Sequence, residues 1–100
     1  MPKLYEYLGL VIFFYSNEHE PVHVHARSQG CESKIELVIF DGKVIELKTM
    51  NVKGKKPLSP KQTKDFEELV EKLSDEIVQQ WVNFFVYHKK IITKKIEGKL

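Results

Sequence analysis

Three of the four histidines fall within seven residues of the run Ser16-Asn17-Glu18-His19-Glu20-Pro21-Val22-His23-Val24-His25. Two imidazoles at i and i+2 on a strand point to the same side, close enough to share one metal ion or one phosphate. His19 or Glu18 in the preceding loop would supply a third ligand, with Glu20 as another carboxylate. Neutral imidazole with carboxylate suits one divalent transition metal, such as zinc, manganese, nickel or iron. A catalytic site would keep one position open for water. Without a metal, His23 and His25 would act as base and acid, and Arg27 would stabilise phosphate charge. The pattern also fits a plain polar strand face, or one that only contacts a partner.

The element that must hold these groups alternates strictly. Val22, Val24 and Ala26 share one face of an expected strand, and His23, His25 and Arg27 the other. The apolar face takes the core, which leaves the imidazoles on the opposite side. Upstream, Leu4–Tyr7 reads as a short strand, and Leu10–Ser16 is apolar on both alternating faces. A strand of that kind needs cover on both sides, from the tail or from a second subunit.

Downstream, Gln29-Gly30 turns the chain, and Ser33–Phe40 and Lys43–Met50 form a hairpin around Asp41-Gly42. A two-residue turn would pair Leu37 with Glu46 and Ile35 with Lys48, setting charge against core residues. A three-residue loop, Phe40 to Gly42, pairs Leu37 with Ile45 and Ile35 with Leu47, and is the expected register. Ser59-Pro60 then starts a helix, serine as cap and proline at the first position. The stripe Phe66, Leu69, Val70, Leu73, Ile77, Trp81, Phe84, Phe85 and His88 predicts one helix over 60–88. Its roughly 42 Å at 1.5 Å per residue separates the basic stretches at its two ends unless the tail folds back. His88 and the aromatics of that stripe are read as packing, and Ile91–Ile96 as an added edge strand.

The 100-residue chain holds 42% hydrophobic and 30% charged residues, enough for one core, and residues 1–88 read as a single α+β domain. Residues 89–100 read as a basic C-terminal extension. No apolar run reaches the roughly 18–20 residues of a bilayer span, and the opening residues lack a secretory layout, so the expected address is cytoplasmic. One cysteine, Cys31, excludes an internal disulfide framework and a Cys-based zinc knuckle. There is no Gly-rich phosphate loop and no Gly-x-Ser-x-Gly elbow. Net charge is only +2, yet lysines cluster at 53, 55, 56, 61 and 64 and again at 89, 90, 94, 95 and 99, with an acidic block over 65–76 between them. Such segregation suits an electrostatic partner surface, with Lys53, Lys55, Lys56, Lys89, Lys90, Lys94 and Lys95 as contacts to nucleic acid or protein.

The block from Phe13-Phe14-Tyr15-Ser16-Asn17-Glu18 to His23-Val24-His25 resembles the domain of unknown function 4160 family. The Leu58-Ser59-Pro60 helix start and the later Trp81, Phe84 and Phe85 fit the same pattern, and the resemblance covers about residues 1–87. Many members carry a further proline where Val22 stands here, and the terminal stretch looks like an extension found in some members. The resemblance implies a small bacterial protein whose neighbour is often a second small protein, in an arrangement similar to toxin–antitoxin pairs. His-Val-His-Ala-Arg also superficially resembles the histidine triad of nucleotide hydrolases and transferases, but Arg27 takes the third place and the chain is short for that fold.

The expected architecture is an antiparallel sheet of four to five strands with one long helix packed on one face. The expected function is a toxin–antitoxin-like component that binds a small protein partner, with nucleic acid as a further contact. The rival is a histidine-based or metal-assisted RNA phosphodiesterase toxin. Strand order and oligomeric state stay open at this point.

Overall fold

Each of the first five strands pairs with its sequence neighbour, with two-residue turns at Leu8-Gly9, Gln29-Gly30 and Asp41-Gly42. The structure, a computed structural model, describes residues 2–17 and 21–100. Its strands are β1 (Lys3–Tyr7), β2 (Leu10–Phe13), β3 (His23–Ser28), β4 (Cys31–Phe40), β5 (Lys43–Asn51) and β6 (Lys94–Ile96). Two helices, α1 (Pro60–Lys72) and α2 (Ser74–Phe85), precede β6. The strand order is β5-β4-β3-β2-β1-β6. β1 to β5 form an antiparallel meander, and β6 adds to β1 in parallel, with Tyr5 beside Lys94 and Tyr7 beside Ile96. The expectation of four to five antiparallel strands under one long helix is therefore corrected: the sheet is six-stranded and mixed, and the helices are two. No helix among the described residues is long and apolar enough to cross a membrane.

The helix starts as its sequence requires, with Ser59 accepting from the Gln62 amide and Pro60 following. It breaks at Leu73 (φ −112°, ψ 20°), and Asp75 and Glu76 then occupy the first turn of α2, where acidic groups favour the helix dipole. The apolar stripe runs through the break without a proline or glycine to mark it, which is why periodicity alone reads one rod. α2 ends at Phe85. His88, at φ 56°, lies beyond it and is exposed rather than packed on the stripe.

The β4–β5 hairpin also departs from its expected register. Asp41 (φ 53°) and Gly42 (φ 77°) form the two-residue turn, closing on Phe40 and Lys43. An irregularity then pairs Ile39 with Val44 but Val38 with Glu46, so Ile45 is the extra residue of a bulge. The bulge sets Leu37 opposite Leu47 and Ile35 opposite Thr49. The clash of charge against core is thus relieved inside β5, not by a longer loop.

One sheet face takes the helices. Leu10, Ile12, Val24, Ala26, Ile35 and Leu37 pack with Phe66, Leu69, Val70, Ile77 and Trp81 in the main core. Cover for the doubly apolar segment comes from within the chain: Phe14 meets Phe84 and Phe85, while Phe13 meets Tyr15 and His25. The helical layer is tied to the β1 side by the Tyr5 hydroxyl, which donates to Glu76 at 2.7 Å.

Burial pushes the Tyr5 phenol pKa well above its ordinary value, and the hydrogen bond to Glu76 and that residue's charge push it further. A folded pKa above the unfolded one means that this contribution is complete below about pH 10 and falls as pH rises beyond it. Urea unfolding followed from about pH 9 to 11 should show the wild-type midpoint falling more steeply than that of Tyr5→Phe. At neutral pH the same variant should be less stable by about 1–2 kcal/mol.

Candidate functional site

The sheet's second face carries the histidines. Pairing sets Phe13 opposite His25 and Val11 opposite Arg27 on β2–β3, and Arg27 opposite Glu32 on β3–β4. These residues form a satellite cluster away from the helices. Phe13 stacks on His25 with centroids 5.4 Å apart, Tyr15 meets His25 edge-on at 4.6 Å, and His23 lies 5.1 Å from His25. The Arg27 guanidinium sits over the Phe13 ring, 5.2 Å from its centroid.

This face is covered, not open. His25 is 1% exposed and His23 9%. The Glu32 carboxylate, 3% exposed, accepts from the Tyr15 hydroxyl at 3.0 and 3.2 Å and from His25 Nδ1 at 3.1 Å. His23 Nδ1 lies 2.7 Å from the Pro21 carbonyl. A carbonyl and an ionised carboxylate only accept, which assigns the proton to Nδ1 in both rings. A carboxylate behind an imidazole is how ligands and catalytic bases are oriented, but it also satisfies a buried polar pair.

The metal set expected from His19, His23, His25 and Glu18 is only half in view, because His19 and Glu18 lie outside the described residues. Among the described residues, no group of three or more His, Cys, Asp or Glu side chains is placed to hold a metal ion. Arg27 stands apart from the two imidazoles in one respect. It lines an open cleft of about 490 Å³ with Lys55, Ser28, Gln62, Tyr15 and Glu32, and neither His23 nor His25 is among the walls.

The basic residues divide between two places. Lys53, Lys55 and Lys56 precede α1, where the Glu32 amide donates to the Lys56 carbonyl at 2.8 Å and so holds their loop against the start of β4. The tail folds back. Lys94 lies 3.9 Å from Glu76, and Lys99 lies 4.0 Å from Glu68, so the basic tail faces the acidic helices. Lys95 lies 4.0 Å from Glu97, Lys89 sits over the Tyr87 ring, and Lys90 is exposed. Part of the charge segregation is therefore matched within the chain, although exposed pairs of this length contribute at most about 1 kcal/mol each. Lys95 borders a second cleft that shares Gly9 and Val11 with the first.

Sequence reasoning missed Glu32 and Tyr15. For Glu32 a signal existed, because a two-residue turn at Gln29-Gly30 puts residue 32 opposite Arg27. For Tyr15 none did, since it lies beyond the end of β2 and reaches Glu32 through chain geometry.

A family model described as a domain of unknown function, DUF4160, matches residues 9–82. That span holds Phe13, Tyr15, His23, His25, Arg27 and Glu32. No curated protein and no solved structure matches the chain.

Removing the Tyr15 hydroxyl deprives a buried carboxylate of one donor. Tyr15→Phe should lower stability by about 1–3 kcal/mol in urea unfolding at pH 7. Tyr15→Phe in a Glu32→Gln background should cost less, because the charge that needs the donor is gone.

Proposed function

This chain belongs to the domain of unknown function DUF4160 family, and we propose that it is the binding component of a toxin–antitoxin-like pair that docks a small protein partner. The observation that carries the reading is the apolar end of the β4–β5 hairpin. Phe40 is 70% exposed, Ile45 62% and Ile39 38%, at the edge of the sheet. Large apolar side chains left exposed together at one end of a small protein's sheet suit an interaction site. The bulge at Ile45, with Lys43 and Lys48 on the same strand, discourages simple strand-to-strand addition along β5. The side chains of the hairpin end, more than the strand's backbone, are therefore the docking surface. Lys53, Lys55 and Lys56, all exposed, would add a salt-sensitive contact to nucleic acid.

The rival, a histidine-based or metal-assisted RNA phosphodiesterase, draws support from the carboxylate behind His25. It draws less from the imidazoles' position, since both are buried and neither borders the cleft.

Both readings meet in one experiment. The protein is co-expressed with the small protein encoded beside it, and affinity is measured by calorimetry. Phe40→Ser/Ile45→Ser should weaken binding at least roughly tenfold, about 1.4 kcal/mol. His23→Phe/His25→Phe, which keeps ring volume, should bind as the wild type does. Loss of binding in the histidine variant alone would count against the docking surface. RNA cleavage by the wild type but not by the folded histidine variant would replace this reading with the enzymatic one.

A further inference from the structure

Helix α2 ends where nothing in the sequence ends it. No glycine or proline lies between Pro60 and Gly98, and Val86, the residue after the helix, is still in the right-handed helical region (φ −96°, ψ −49°). The chain then turns at His88, φ 56°, with the Lys89 amide donating to the Asn83 carbonyl at 2.8 Å. A left-handed residue at a helix end is ordinarily glycine, because a Cβ there crowds the following carbonyl. Four non-glycine residues among those described have positive φ. Leu8, Gln29 and Asp41 each open a two-residue hairpin turn that needs it, and His88 belongs to no such turn. The bend is therefore imposed by what the tail does next.

After the helix come the linker 86–93 and β6. β6 pairs with β1 over three residues, the Thr93 hydroxyl donates to the Lys3 carbonyl at 3.0 Å, and Lys94 and Lys99 face Glu76 and Glu68 at 3.9 and 4.0 Å. Ion pairs of this length on the surface hold weakly. The linker leaves most of its apolar side chains in water. Ile91 packs against the core, but Ile92, 83% exposed, is the most exposed large apolar residue among those described, and Val86 and Tyr87 are exposed as well. Beneath β6, the outer edge of β1 is a row of amides and carbonyls that takes an added strand.

We propose that two copies of this chain exchange β6: α2 straightens through His88, and each tail adds to the β1 edge of the other copy. Every contact between tail and body is then remade across the pair, so the closed and exchanged forms differ at the hinge and in the cost of association. At the hinge the exchanged form gains twice. The left-handed His88 is relieved in both copies, and the two linkers, passing each other at the two-fold axis, cover Val86, Tyr87 and Ile92. The inference goes beyond the docking of a small partner and does not use its surface. β5 and β6 are opposite edges of the six-stranded sheet, roughly 24 Å apart at the usual spacing of strands.

The test uses the full chain. Light scattering on fractionated protein should show a monomer–dimer equilibrium, and His88→Gly, which relieves the closed hinge, should weaken dimerisation about tenfold or more. Phe40→Ser/Ile45→Ser should leave it unchanged. The exchange itself is read from two chains with one cysteine each. In a Cys31→Ser background, Glu6→Cys and Lys95→Cys stand at paired, exposed positions of β1 and β6, and neither chain can close a link within itself. Refolded together from urea, concentrated and oxidised, they should give the mixed disulfide well above the share that random collision gives. This readout stands should His88→Gly fail to fold. The double variant Glu6→Cys/Lys95→Cys in the same background, oxidised at high dilution, should lock as a monomer and regain dimerisation on reduction. A wild type that stays monomeric up to its solubility limit, mixed disulfides no commoner than chance, or a dimer that a folded His88→Gly variant does not weaken would each overturn the exchange. So would a dimer lost in Phe40→Ser/Ile45→Ser, which would move the contact to the hairpin end.

Discussion

A carboxylate withdrawn from water must find donors, and much of the second sheet face is arranged around the donors of Glu32. The desolvation of an ionised carboxyl costs several kcal/mol unless it is hydrogen-bonded. Here the phenol of Tyr15 and the Nδ1 of His25 meet that demand from two different segments. Holding Tyr15 there brings its ring against Phe13 and His25, which turns a polar face into a buried one. The central strand β3 is then enclosed on both sides, Val24 and Ala26 by the main core and His25 by the satellite cluster.

That enclosure separates positions that alternate on one strand. Arg27 lies beyond the cluster, only partly buried, and borders the cleft, while His25 two residues earlier sits behind Tyr15 and Glu32. A row of three polar side chains thereby divides into an interior pair and a rim residue. The charge pattern divides in a similar way. The acidic helices answer to the tail through Lys94 and Lys99, whereas Lys55 lines the same cleft as Arg27.

Period-two alternation made β3 legible and glycine-bearing two-residue turns marked the hairpins, whereas β2 was legible as an unbroken apolar run. Alternation reports which side a residue points to and says nothing of what covers that side. His23 and His25 were therefore readable as a shared face but not as a buried one. The Ser59-Pro60 start was legible because capping is local chemistry. The break at Leu73 was not, because the apolar stripe continues in phase across it. In the β4–β5 hairpin, the conflict between register and charge was visible from the sequence, yet a bulge and a longer loop both relieve it, and parity does not choose between them.

The parallel pairing of β6 with β1 has a consequence for the order of assembly. The meander from β1 to β5 joins sequence neighbours, three of its four pairings through two-residue turns, so those pairings close short loops. The contacts at the other edge span almost the whole chain: Thr93 Oγ1 donates to the Lys3 carbonyl across 90 residues, and the Leu100 amide donates to the Tyr7 hydroxyl across 93. Loop entropy must be overcome before such contacts return any stability, so they form late. Only three residues of β6 are strand, and its side chains are largely exposed, which places it among the first elements to open in the native state. The sheet thus has a durable part and a removable margin, and when that margin opens, the outer edge of β1 is bared and Glu76 is parted from Lys94.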